Sequence, residues 1–177
     1  MYVFLDTEFT SEDMPCLISF GLVAGHEPVD TLYIELTDTY TRADCSPYVC
    51  SVVLPALMGG SYAMTSGDAR TRVKAWFQSL SGGHRLVTDY PERDMALFKR
   101  WLGQADWPAN LDKRALRLDT AGLPGRMRDM ARAVTDHHDD QWGAHNALTD
   151  ADRLRAVYAA LTATGFDPFD RGPCDAC

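Results

Sequence analysis

Two kinds of hydrophobic spacing divide this chain into predicted strands and helices. Apolar residues run almost without interruption through 2–5 and 16–25, as in strands buried on both faces. In 29–36 the apolar residues occupy alternate positions, as in a strand with one buried face. Because only short links containing proline or glycine separate these segments, we predict three consecutive antiparallel strands.

From residue 66 onward the spacing becomes that of amphipathic helices separated by short strands. Helices are predicted at 66–83, 91–104, 125–138 and 147–165, and strands at 84–90 and 114–120. The segment 38–66, rich in threonine, proline, glycine and serine, is predicted to be irregular. Three strands followed by strands that alternate with helices predict an α/β fold, a mixed five-stranded sheet flanked by helices.

Local signals set the predicted helix ends. Ser66 is a suitable N-cap for the first helix, and Pro91 suits the first helical position of the second. A polar loop at 139–146 is predicted to separate the last two helices.

Length and composition are those of one compact domain. The chain has 177 residues, of which 46% are hydrophobic and 24% charged. We place the domain at 1–165 and a C-terminal tail at 166–177. No apolar stretch approaches the ~18 residues of a membrane span. The odd number of cysteines, five, predicts mostly reduced thiols in a cytoplasmic protein. The net charge of −8 argues against avid, sequence-blind binding to long nucleic acid.

The first candidate for chemistry is the acid pair Asp6 and Glu8, which follows the first apolar run. Alternate residues of a strand point to the same face, so these carboxylates would lie side by side and repel each other at pH 7. A solvent-exposed strand end is the simpler alternative. A hydrophobic strand that carries two acids to one point instead favours a site with a compensating positive charge.

Further signals lie far along the chain. His145 precedes the last predicted helix and Asp150 lies in its first turns, where an acid suits the helix start but a histidine is not needed. Asp94 lies one turn into a predicted helix whose apolar face would press it onto the sheet, and Asp89 ends the preceding strand. Taken alone, each of these two acids is better explained as a surface residue.

Together these residues resemble the DEDDh 3′–5′ exonucleases of the ribonuclease H-like superfamily, a group that includes proofreading exonucleases, oligoribonuclease and ribonuclease T. The family's Asp-x-Glu motif matches Asp6 and Glu8. Its second-motif aspartate matches Asp94, and its His-x-x-x-x-Asp motif matches His145 and Asp150. The opening Asp-Thr-Glu-Phe is also similar to that of small actinobacterial exoribonuclease-like proteins. The resemblance implies a ribonuclease H-like fold.

The second motif departs from the family's pattern. The run Asp-Tyr-Pro-Glu stands where a His-Asn-Ala run is usual, and Asp89 falls at the position of that histidine. The choice between Asp89 and Asp94 as the second-motif acid therefore stays open, with Asp94 favoured. The 38–66 segment matches no motif of the family.

The resemblance implies that the carboxylates hold two divalent cations. Hard oxygen ligands suit Mg²⁺ or Mn²⁺, and two such ions would offset the repulsion within the acid pair. In this hypothesis Asp6 bridges both ions, while Glu8 and Asp150 ligate the first. Asp94 acts on the second ion chiefly through water, and His145 is the general base that takes the proton from the attacking water.

The implied activity is hydrolysis of phosphodiester bonds from the 3′ end of RNA or short oligonucleotides, with release of nucleoside 5′-monophosphates. The expected partners are single-stranded RNA or DNA 3′ ends, with RNA favoured because the small acidic domain is similar to the RNA-trimming branches. No membrane partner is expected, and a homodimer is compatible with those branches. Two alternatives stay open. A ribonuclease H-like endonuclease would not need His145, and a catalytically impaired nucleic-acid-binding or scaffold module would explain the altered second motif.

Phe9 and Thr10 directly follow the acid pair. By the same resemblance, they would wedge against the 3′-terminal nucleotide. Aromatic side chains stack on bases in other proteins that bind single strands. For Phe9 a place in the hydrophobic core is an equally good interpretation.

Two weaker signals come from cysteine and histidine pairs. A C-x-x-C at 174–177 is one half of a four-thiolate zinc site that Cys45 and Cys50 would complete, but we favour a frayed tail. His137 and His138 are adjacent and would point about 100° apart on a helix, so they cannot easily share one ion. We interpret them as part of a polar helix end.

Overall fold

The computed structural model describes residues 1–25, 29–142 and 145–170. Within these ranges the strands are β1 (Tyr2–Phe9), β2 (Leu17–Ala24), β3 (Thr31–Leu36), β4 (Ala63–Met64), β5 (Arg85–Thr88) and β6 (Leu116–Arg117). The α-helices are α1 (Ser66–Ser79), α2 (Asp94–Leu102), α3 (Gly125–Trp142) and α4 (Ala147–Ala163). None of the helices in these ranges combines the length and apolar character needed to cross a membrane.

The strands form one mixed sheet in the order β4-β3-β2-β1-β5-β6. β1, β2 and β3 pair antiparallel as predicted, and β5 and β6 continue the sheet in parallel from β1. The predicted α/β class, with a mixed sheet flanked by helices, is confirmed. The sheet has six strands in the described ranges rather than five. The additional strand, β4, lies inside the 38–66 segment, and two residues are too few to show an alternating pattern.

The sheet separates two hydrophobic layers. Val3 and Leu5 of β1 pack with residues of α1 and α2, whereas Phe4 packs with residues of α3 and α4. β1 lies between β2 and β5, so both of its faces are covered. This position explains why its first half is an almost continuous apolar run.

The 38–66 segment is fixed against the sheet by short helical turns. Val49 and Val53, in a π-helical turn, pack against β2. The buried Glu35 carboxylate of β3 accepts the backbone N–H of Met58 at 2.6 Å. The segment predicted to be irregular is therefore held by its own buried side chains and by β3.

One predicted helix cap and one predicted helix start are wrong. Thr65 rather than Ser66 caps α1, because the Thr65 side chain accepts a backbone N–H of the first turn. α2 begins at Asp94 rather than at Pro91. The Tyr90 carbonyl accepts the N–H of Asp94 at 3.0 Å, so a separate turn closes before the helix starts.

The predicted loop at 139–146 is also partly wrong, because α3 continues through Trp142. His138, predicted in a polar helix end, is buried and its Nε2 lies 3.3 Å from Asp152 Oδ2 on α4. Contacts of this kind with α4 stabilise the last turn of α3. They cannot be predicted from the hydrophobic spacing within one segment.

The chain packs on the domain beyond the predicted boundary at 165. Phe169 stacks on Tyr158 with ring centroids 5.6 Å apart, and it also meets the edge of Tyr2. Part of the predicted tail at 166–177 thus covers the α4 side of the sheet. Residues 171–177, with the C-terminal cysteines of the predicted zinc site, lie outside the described residues.

Candidate metal centre

β1 carries Asp6 and Glu8 to the face of the sheet that α4 covers. Phe4, two positions before Asp6, packs with α3 and α4, and alternate strand residues share a face. Both acids are half-buried. They therefore lie together beneath the start of α4 and not on an exposed strand end.

Gly21 of β2 allows α4 to approach the sheet next to Asp6, with which it is paired in the strand register. A Cβ on Gly21 would lie 2.3 Å from the carbonyl oxygen of Ala147, the first residue of α4. Asn146 caps this helix by accepting two backbone N–H groups at 3.1 and 3.4 Å. The close packing directs Asp150 at the carboxylates of β1. Sequence analysis missed Gly21, although a glycine inside an apolar strand can signal close backbone approach.

The predicted acids meet in two groups that share one member. Carboxylate oxygens of Asp6, Glu8 and Asp150 lie within 4.8 Å of one another, and we call these residues the first carboxylate group. Oxygens of Asp6, Asp89 and Asp94 meet the same limit and form the second carboxylate group. The structure thus brings together every acid that the sequence singled out, including both candidates for the second motif.

Two threonine hydroxyls fix Asp94, which is 4% exposed. Thr7 Oγ1 donates to Asp94 Oδ1 at 2.7 Å, and Thr88 Oγ1 donates to Asp94 Oδ2. Asp89 is exposed. Sequence analysis missed both threonines. The only signal was the position of Thr7 inside the Asp-x-Glu motif, and its partner lies 87 positions away.

Burial and mutual repulsion make these carboxyl groups hard to ionise. Burial raises the pKa of Asp6 well above its usual range, and Asp94, Asp150 and Glu8 raise it further. Burial, with repulsion from Asp150 and Asp94, raises the pKa of Glu8 to about 8. Burial raises the pKa of Asp94 to about 6, although the two threonine hydrogen bonds oppose this shift. The fully ionised cluster therefore requires added positive charge.

Divalent cations fit this donor set. Each group offers only carboxylate oxygens, and no histidine or cysteine joins either of them among the described residues. Such ligands suit Mg²⁺ and Mn²⁺, whereas zinc favours nitrogen and sulfur. The Oδ1 atom of Asp150 is buried and lies 2.8 Å from the Arg153 guanidinium, so a cation bound there would share this oxygen with Arg153.

Arg153 is a positive charge that sequence analysis did not identify. Its Nη1 lies 2.8 Å from Asp150 Oδ1 and 3.1 Å from Asp139 Oδ1 of α3. Burial raises the pKa of Asp150, while this arginine lowers it. An arginine one turn after an acid ordinarily indicates a solvent-exposed pair, which is why its half-buried position was not expected.

His145 reaches the acids through its backbone and points its ring elsewhere. Its N–H donates to Asp150 Oδ2 at 3.0 Å. Its exposed imidazole lies against Tyr48 of the 38–66 segment, whose hydroxyl oxygen is 2.9 Å from Nε2. The predicted base therefore lies at the rim of the first carboxylate group.

Phe9 and Thr10 occupy different environments. Phe9 is half-buried against the α1 and α2 layer, with the Arg93 guanidinium carbon 5.0 Å from its ring centroid. Thr10 is fully buried, and its hydroxyl donates to the Met14 carbonyl at 3.3 Å. Phe9 is thus partly a core residue, and its contact with a nucleotide stays a prediction. The Thr10 side chain organises the loop and is not accessible to a nucleotide here.

Comparison with known proteins identifies the fold. No protein-family model and no curated protein matches this sequence. Among solved structures, the chain is similar to cell-death related nuclease 4 (CRN-4), with a TM-score of 0.60, 16% sequence identity and 93% of this chain covered. The match spans 64% of that nuclease chain. At this level of identity, the likeness establishes a shared fold.

Proposed function

We propose that this protein is a metal-dependent nuclease, and more specifically a 3′–5′ exonuclease that shortens RNA or short oligonucleotides. The observation that carries the proposal is the position of Asp6, whose carboxylate belongs to both carboxylate groups. Such an arrangement suits two cations that share one ligand. The fold similarity to a nuclease supports the same class of chemistry, although fold by itself does not fix function.

Each carboxylate group would hold one cation. Asp6, Glu8 and Asp150 would hold the first, and Asp6 and Asp94 the second, with Asp89 as the alternative. When bound, such cations supply Lewis-acid stabilisation of the phosphodiester charge and lower the pKa of water. The threonine hydroxyls on Asp94 would keep that carboxylate oriented towards its cation, as outer partners commonly do for metal ligands.

His145 is the proposed general base. A neutral imidazole accepts a proton near pH 7, and the position of His145 beside Asp150 puts it at the edge of the first carboxylate group. The proton from the attacking water passes to an imidazole nitrogen while the water oxygen attacks phosphorus. The bond from phosphorus to the 3′-oxygen of the preceding nucleotide breaks, that oxygen takes a proton from solvent to become a hydroxyl, and a nucleoside 5′-monophosphate leaves.

The polarity of attack and the preference for RNA rest on the resemblance of the motifs. Because the net charge is −8, the protein surface as a whole gives an anionic substrate little electrostatic binding energy. Recognition at a local, cation-charged site favours short or end-bound substrates over long duplexes. The presence of all the acids around Asp6 argues against an impaired binding module.

Labelled oligomers provide the direct test. We expect 5′-labelled RNA to shorten in single steps with Mn²⁺, and 3′-labelled RNA to release labelled mononucleotide at once. Internal fragments would instead support the endonuclease alternative. Intact oligomers after incubation with correctly folded, Mn²⁺-saturated protein would refute the nuclease proposal.

The pair Asp94→Asn and Asp89→Asn decides which acid serves in the second motif. Asp94 is buried and held by two hydroxyls, whereas Asp89 is exposed, so we expect Asp94→Asn to abolish most turnover and Asp89→Asn to retain most of it. The reverse order would assign the role to Asp89. Thermal unfolding of both variants controls for loss of structure.

A further inference from the structure

The two residues that precede α4 both contact the 38–66 segment. The Tyr48 hydroxyl oxygen lies 2.9 Å from His145 Nε2 and 3.1 Å from His145 Nδ1. Asn146 Nδ2 donates to the carbonyl of Ala56 at 3.1 Å. A segment that lies between β3 and α1 in the sequence thus packs against the start of the helix that carries Asp150.

The backbone near Tyr48 is anchored, while its side chain is open to solvent. The Ser46 N–H donates to the Thr10 carbonyl at 2.9 Å, and Val49 is buried. Tyr48 itself is 52% exposed. A tyrosine this exposed adds little to the core, so packing alone does not explain why its hydroxyl meets His145.

His145 has a backbone conformation that residues with a Cβ rarely adopt. Its φ is 66°, in the left-handed region. The backbone N–H reaches Asp150, and the imidazole meets the Tyr48 ring at 88° with centroids 5.5 Å apart. Uncommon backbone conformations that the surrounding structure holds in place cluster at functional sites.

We propose that Tyr48 is a positioning residue for His145. This inference rests on the proposed function, in which His145 takes a proton from the attacking water. The Tyr48 oxygen is nearly equidistant from the two imidazole nitrogens, so it meets the ring between them and, with the edge contact of the two rings, fixes the orientation of the imidazole. Nucleophile-activating bases are commonly oriented by a third group in this way. Tyr48 keeps its own proton throughout the reaction.

A kinetic double-mutant cycle tests the coupling. We expect Tyr48→Phe to lower kcat about five- to tenfold, the worth of one hydrogen bond, with KM unchanged. In a His145→Ala background the same change should have no further effect. Tyr62→Phe is the matched control, since Tyr62 is 37% exposed and packs against Tyr33 instead. An equal loss in both backgrounds, or a loss confined to KM, would overturn the inference.

A second readout does not need activity. In protein free of metal and substrate, at fixed pH, we expect Tyr48→Phe to shift the imidazole ¹⁵N signals of His145, and Tyr62→Phe to leave them in place. Unchanged signals in Tyr48→Phe would overturn the inference even if the protein is a nuclease. If the wild-type protein cleaves no labelled oligomer, the proposed function fails, and the ¹⁵N signals separately decide whether Tyr48 holds the ring.

Discussion

The two carboxylate groups share Asp6, but a charged side chain lies beside the first group and neutral hydroxyls hold the second. In the first, Asp150 has the Arg153 guanidinium 2.8 Å away and accepts the N–H of His145. In the second, Asp94 accepts hydrogen bonds from two neutral hydroxyls. The first group therefore has a positive charge close to it before any cation binds, and its geometry depends on where α4 starts. The second group depends on hydrogen bonds between β1, β5 and α2.

The largest expected effect separates metal binding from proton transfer. The hydrogen bond of His145 to the first group comes from its backbone N–H, which alanine keeps, so His145→Ala should leave Mn²⁺ affinity unchanged and lower the hydrolysis rate about a hundredfold or more. Steady-state rates and calorimetric Mn²⁺ titration measure both. His137→Ala, at an exposed histidine of α3, is the control. Unchanged turnover in His145→Ala would refute its role as base.

The next effect should disturb the first group alone. A Cβ at position 21 collides with backbone of α4, so Gly21→Ala should displace that helix and lower the free energy of unfolding by about 3 kcal/mol. Gly83→Ala is the matched control, because a Cβ there has no atom within 4 Å. Denaturant unfolding measures the difference. Equal stability of the two variants would show that α4 does not need this close approach.

A smaller effect should disturb the second group alone. Thr7→Val removes the hydroxyl that donates to Asp94 and leaves a buried acceptor with one partner fewer, at a cost of about 2 kcal/mol in stability. Thr7→Ser keeps the hydroxyl and should restore most of the loss. Thermal unfolding of both variants makes the comparison. Similar destabilisation by serine and valine would indicate that packing, and not the hydrogen bond, is what matters.

The last effect is a pH dependence that cations should remove. The pKa of Glu8 is raised from 4.5 to about 8 and that of Asp94 from 3.8 to about 6. Between the unfolded and folded pKa values, each of these carboxyl groups binds more protons in the folded protein than in the unfolded chain. Stability in the presence of a chelator should therefore fall as pH rises from about 4.5 to about 8. With saturating Mg²⁺ the fall should disappear. A Tm in chelator that rises with pH over this range would contradict the electrostatic description.

The acids of the site could be predicted because each lies at the end of a recognisable element. Asp6 and Glu8 end an apolar strand, and Asp150 lies in the first turn of a helix with a clear apolar stripe. That these ends meet was suggested by the resemblance of their motifs, and of the order of those motifs, to a known family, and not by periodicity alone. The same local signals predicted the first three strands and their antiparallel order.

The supporting residues could not be predicted, because their partners are distant in sequence. Thr7 bonds a residue 87 positions away, and Tyr48 contacts one 97 positions away. Gly21 matters only because α4 packs on it. These contacts cannot be predicted from the helix or strand propensity of a segment, or from its hydrophobic periodicity. The extra turn of α3 was missed for the same reason, since it is held by residues of α4.

Calorimetric titration of the metal-free protein with Mn²⁺ at pH 7.5 tests the shared role of Asp6 most directly. We expect the wild-type protein to bind two Mn²⁺ per chain, as a two-cation site requires. Glu8→Gln should weaken one binding event, and Asp6→Asn should weaken both. Absence of Mn²⁺ binding by the wild-type protein, or two undiminished sites in Asp6→Asn, would contradict the account.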